Sequence, residues 1–133
     1  MQKKTVLILL VVFLFLTGCS DKSKLLVGEW RVNNLKYTRE IPAEMQPTID
    51  NTVNQLRNSF VLTYNADGTY TTSMGEQVLK GNWKLNWNST KITATSSSSD
   101  IKTYEVKELT ESNLTFQVNE GGEEVIFEMV RAK

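Results

Sequence analysis

Catalytic chemistry needs groups that accept, donate or attack, and this chain is short of them. It has no histidine and one cysteine, Cys19, beside 15 acidic and 15 basic side chains in 133 residues. Without histidine, the commonest general base and metal ligand are missing. A single cysteine allows no intrachain disulfide and no thiolate metal cluster. The paired carboxylates Glu123 and Glu124 fall in a stretch that reads as a strand, so they point to opposite faces and cannot share a substrate. Asp67, in Asn65-Ala66-Asp67-Gly68, has the place of a turn residue. Acidic residues scattered through the loops follow no calcium-binding spacing. The expectation is no enzyme, no catalytic residue, no metal site and no cofactor.

What Cys19 can do is set by its surroundings. Lys3 and Lys4 precede an apolar run of 11 residues, Val6 to Leu16, and Leu16-Thr17-Gly18-Cys19 closes it. Eleven residues are too few to span a bilayer, which takes about 20, and have the length of a signal-peptide core. The order basic, apolar, leucine, two small residues, cysteine resembles the bacterial lipobox. It implies a signal peptide over residues 1–18, cleavage before Cys19, and a diacylglyceryl thioether on its sulfur with an acylated α-amine. Anchoring by two or more acyl chains is stable, each buried CH₂ contributing about 0.8 kcal/mol. Ser20 rather than aspartate follows the cysteine, which resembles an outer-membrane address in the bacterial cell envelope. Cleavage leaves 115 residues with 13 basic and 15 acidic side chains, enough for one domain and lacking the basic surface a nucleic-acid partner requires.

Residues 19–24 read as the lipidated tether and 25–133 as the folded domain. From Leu25 to Tyr37, Leu25, Val27, Gly28, Trp30 and Val32 alternate with Glu29 and Arg31, a half-buried strand. Met45, Ile49, Val53 and Leu56 then follow helical spacing, predicting a short amphipathic helix from Pro47 to Asn58. Beyond it the period is two. Phe60 to Tyr64, Thr69 to Met74, Leu79 to Leu85, and segments around Ile92, Tyr104, Phe116 and Phe127 alternate apolar with polar residues between Gly-, Asn- and Ser-rich turns. Eight strands joined by hairpins predict an all-β fold, an antiparallel up-and-down barrel, which leaves no open edge. A two-sheet sandwich needs long crossing connections, and after the helix there are none.

Gly28-Glu29-Trp30 begins the first strand as Gly-x-Trp begins lipocalins. Together, Leu26-Val27-Gly28-Glu29-Trp30, Phe60, Asp67-Gly68-Thr69-Tyr70, Gly81-Asn82-Trp83 and Leu109-Thr110 resemble the small lipocalin-like lipoproteins common in Bacteroidota. The resemblance spans nearly all of the mature chain and implies fold and anchoring more than activity. It also implies that Gly28, Trp30 and Arg131 are structural: the tryptophan closes one end of the barrel beneath an arginine from near the C-terminus. A guanidinium over that ring contributes about 0.5–2 kcal/mol.

Many residues predicted to face inward are large, among them Trp30, Leu62, Tyr64, Trp83, Phe116 and Phe127. They suggest a barrel mostly filled, with at most a shallow site beneath the helix. That site would draw on Tyr37, Phe60, Met74, Tyr104 and Val125, with Ile49, Val53 and Leu56 as a lid. Two functions fit: a membrane-anchored, non-catalytic module binding a small apolar ligand at the barrel mouth, or an envelope interaction or inhibitor protein using a filled barrel as scaffold. The short tether joins the end where the first strand starts, so the mouth is expected to face away from the membrane.

Overall fold

The computed structural model describes residues 22–132. The predicted signal peptide and Cys19 lie outside the described residues, as does the start of the tether.

The described residues begin with a helix, α1 (Lys22–Leu26), where the tether and the start of the first strand were expected. Its last residue, Leu26, is fully buried, and burying a leucine side chain is worth about 1.5–3 kcal/mol. This contact, rather than local periodicity, makes the helix. Gly28 takes φ 139°, which glycine adopts far more readily than other residues. It turns the chain from helix to strand, so the first strand begins three residues later than its alternation suggested.

Eight strands follow: β1 (Gly28–Tyr37), β2 (Phe60–Tyr64), β3 (Thr69–Met74), β4 (Gln77–Leu85), β5 (Lys91–Ser96), β6 (Ile101–Leu109), β7 (Asn113–Glu120) and β8 (Glu123–Arg131). They form a closed barrel in sequence order, β8 pairing back onto β1. Every pairing is antiparallel. The up-and-down barrel expected from the alternation is the architecture of the chain. A turn of 3-10 helix (Ala43–Met45) and α2 (Gln46–Ser59) connect β1 to β2. The predicted helix is there, one residue longer at each end, and runs directly into β2 at Phe60.

The two ends of the barrel differ. At one, which we call the closed end, lie α1 and the turns 65–68, 86–90 and 110–112; at the other, the mouth, lie α2 and the turns 75–76, 97–100 and 121–122. Near the closed end Leu26, Trp30, Ile92, Leu114 and Met129 are almost wholly buried in one cluster. Trp30 Nε1 donates to the Leu26 carbonyl at 2.8 Å, tying the plug to the ring beneath it. Arg131 pairs with Trp30 across β1 and β8, and its guanidinium carbon stands 4.3 Å from the ring centroid. Its Nη1 donates to Val27 O at 2.8 Å, Nη2 to Leu25 O and Nε to Glu111 O. The cation therefore lies on the tryptophan while satisfying carbonyls at the helix end, which the helix itself leaves unpaired.

Two bulges change which residues face inward. The β1–β8 register shifts between Val32 and Asn34, and the β6–β7 register between Val106 and Glu108. Beyond the first bulge the alternation flips, so Leu35 and Tyr37 follow Trp30 and Val32 into the interior.

Candidate functional site

The bulge in β1 also positions the lid. At Asn33 the backbone carbonyl accepts a 2.7 Å hydrogen bond from Arg57 Nε in the last turn of α2. Val53 is buried, and Leu56 packs onto the barrel core. The helix therefore lies along the rim beside β1, held by a charge-assisted bond and an apolar face.

Beneath it the barrel is not full. A cavity of about 380 Å³ reaches from the mouth into the interior. Its wall includes Tyr104, Phe116 and Phe127. Phe116 and Phe127 stack with planes 4° apart and centroids at 5.3 Å, and Tyr104 lies 5.3 Å from Phe116. Leu62 and Tyr64 line it on β2. Tyr64 is buried, packed edge-on against Trp83 at 5.5 Å, and burial, then Tyr104 and Tyr70, push its hydroxyl pKa well above the ordinary tyrosine value. It is therefore a neutral hydroxyl at any physiological pH. Among the described residues no charged side chain lines this cavity; its polar side chains are the hydroxyls of tyrosines and of Thr52 and Thr72.

The expected filling holds toward the closed end and fails toward the mouth, because small side chains occupy inward positions there. Thr72 and Ala94 line the cavity where large residues would close it. Gly81 serves the same half differently. A Cβ on it would stand 2.2 Å from Thr95 O and 2.6 Å from Tyr70 Cε1, so only glycine lets β5 and the Tyr70 ring come so near.

Of the residues predicted to form the site, Tyr37, Leu56, Phe60, Met74, Tyr104 and Val125 line this cavity together. Ile49 and Val53 do not. Residues three or four apart on a helix share a face only approximately, and these two turn toward β1, beside a polar groove that also includes Asn34, Asp50 and Arg57. Leu62, Tyr64, Tyr70, Phe116, Val118 and Phe127, expected to fill the interior, line the cavity instead. Sequence reasoning missed Leu35, hidden by the bulge, and Thr52, Thr72 and Ala94, which carry no apolar signal large enough to notice.

A second cavity of about 360 Å³ shares Phe60, Tyr70, Thr72, Ala94 and Tyr104 with the first and borders Ser96, Ser98, Asp100 and Lys102. The mouth is thus apolar inside and polar on its β5–β6 side. Elsewhere on the rim Arg39 bonds Glu123 Oε1 through Nε and Nη2, both at 2.8 Å, while Glu123 Oε2 is buried without a hydrogen-bond partner among the described residues. Glu124 instead accepts from Thr38 Oγ1 at 3.2 Å. The two adjacent carboxylates serve different partners. Asp67 caps its own turn, accepting from Thr69 Oγ1 at 2.6 Å and Thr69 N at 3.0 Å, bonds that hold its pKa below the ordinary carboxylate value.

Two solved structures are similar in fold. One is a lipocalin-like protein from Bacteroides uniformis ATCC 8492, 16% identical, with 77% of this chain and 96% of that one covered and a TM-score of 0.49. The other is a duf4847 family protein from Bacteroides vulgatus ATCC 8482, 15% identical, with 82% and 95% covered and a TM-score of 0.52. No family model and no curated protein matches the chain. The likeness to the second, at a TM-score of 0.52, is one of fold, the closed eight-stranded barrel. At such identities the likeness reaches no further than the barrel, and the cavity has to be read from its own residues.

Proposed function

We propose that this protein is a lipid-anchored binding module of the bacterial cell envelope, held through Cys19 in the outer membrane, whose barrel takes up a small apolar molecule without transforming it. The observation that carries the binding reading is the cavity of about 380 Å³, uncharged and aromatic-walled, beneath α2. Small-molecule sites are concave and mostly apolar, with a few polar groups that fix orientation, and the tyrosine and threonine hydroxyls supply those groups. The lipobox residues support the anchor. The scaffold alternative called for a filled interior, and the mouth half is not filled, so ligand binding is the better supported of the two.

Native mass spectrometry of the soluble form, residues 20–133, purified gently from its host tests this reading. A mass above that of the chain, lost when Thr72→Leu and Ala94→Leu fill the cavity, is the expected result. A protein that is always empty and takes up no apolar probe, yet co-purifies with one envelope protein, would favour the scaffold.

A further inference from the structure

Trp87 is 94% exposed, the most exposed large apolar side chain among the described residues. Exposure alone says little, but its setting is specific. It sits in the turn 86–90 between β4 and β5, and that turn is tightly built. Asn86 Oδ1 accepts from the backbone N–H groups of Thr90 at 2.8 Å and Lys91 at 3.0 Å, Ser89 N donates to Asn86 O at 3.0 Å, and Thr90 Oγ1 donates to Asn88 Oδ1 at 2.7 Å. The indole is displayed on a fixed turn rather than carried on a slack loop.

That turn belongs to the closed end, where the chain enters the fold. α1 crosses this end and packs against β6. The same strand holds the Trp87 turn, since Val106 N donates to Thr90 O at 2.8 Å. Cys19 is three residues before Lys22, a reach of at most about 11 Å at 3.3–3.6 Å per residue. An acylated cysteine so close would hold this end of the barrel against the headgroups.

We propose that the closed end docks on the membrane interface through Trp87, making the anchor a two-point attachment. The inference rests on lipidation of Cys19. Indole, apolar with one N–H donor, favours the boundary between headgroups and acyl chains. Charges of both signs share this end, Lys22, Lys24, Lys91 and Arg131 with Glu29, Asp67 and Glu111, so the contact rests on the indole rather than on a basic patch. Docking should therefore occur on zwitterionic lipid and resist salt. It fixes the barrel's orientation, mouth outward.

The test uses the full-chain protein purified from host membranes and reconstituted in phosphatidylcholine vesicles, with and without phosphatidylcholine brominated near the headgroup end of its chains. Trp30 and Trp83 pack within the barrel core and give the background, read from Trp87→Ser. The expected result is a blue shift and bromine quenching of wild-type emission that Trp87→Ser loses, unchanged at high salt. Equal quenching of both proteins while they float with the vesicles overturns the proposal. So does a blue-shifted Trp87 present before vesicles are added and lost on dilution, which would put a second copy over it. If the chain neither incorporates labelled fatty acid nor floats, and Cys19→Ala behaves like wild type, the anchor itself fails and the docking falls with it.

Discussion

Arg131 ties the closed end of the barrel together at several points. Its three kinds of nitrogen reach carbonyls of Leu25, Val27 and Glu111, from segments far apart in sequence, while its plane lies over Trp30. Charged donors to carbonyls contribute about 1.5–3 kcal/mol each when measured singly, though such values do not add. Arg131→Gln is expected to lower stability by about 2–4 kcal/mol in urea unfolding, through unpaired carbonyls and a lost cation–π contact. Arg131→Lys should recover little of it, since an ammonium cannot serve three carbonyls in one plane. A lysine variant as stable as the wild type would show that charge alone matters here. The pairing of Trp30 with Arg131 is what the resemblance to lipocalins implies, and strand direction agrees with it, since the first strand starts and the last strand ends at the same end of an eight-strand meander. The contacts to the Leu25 and Val27 carbonyls could not be anticipated, since they depend on a five-residue helix that no periodicity announces.

At the scale of elements, what could be read in advance was what repeats. Phe60-Val61-Leu62-Thr63-Tyr64 and Leu79 to Leu85 alternate cleanly, and each is a strand as expected. Features made by contact between elements were hidden: α1, held by the burial of Leu26, and the bulge at Asn33, whose carbonyl meets Arg57. The bulge reverses the inward set after Val32, which is why Leu35 escaped notice while Trp30 did not. Gly81 belongs to the same class, looking in sequence like an ordinary weak spot in a strand. Its missing side chain admits both the Thr95 carbonyl and the Tyr70 ring. Gly81→Ala is expected to cost about 1–3 kcal/mol, as overpacking does. The nearer obstacle is backbone rather than a movable ring. The double variant Gly81→Ala, Tyr70→Ala should therefore be no more stable than the single one. Recovery of stability in the double variant would assign the clash to the ring.

Across the whole molecule, one barrel has two interiors, and β5 runs through both. Ile92 is fully buried among Trp30, Leu114 and Met129 in the filled half, while Ala94, two residues on along the same face, borders the cavity. A packed site and a void respond oppositely to added or removed volume. Ile92→Ala leaves a hole that its neighbours close only in part, a loss of about 2–5 kcal/mol. Ile92→Phe forces the same neighbours apart, costing about 1–3 kcal/mol. Ala94→Leu adds methylenes into existing space, so its stability should stay within about 1 kcal/mol of wild type while uptake of an apolar probe falls. Urea unfolding and probe titration on the three variants measure both quantities. The pattern expected is stability lost at Ile92 and binding lost at Ala94. If Ala94→Leu destabilised the protein as strongly as Ile92→Phe, the mouth half would be packed in solution and no room would remain for a ligand. Stability thus resides toward the plugged end, where the chain enters, which leaves the other end free to stay open.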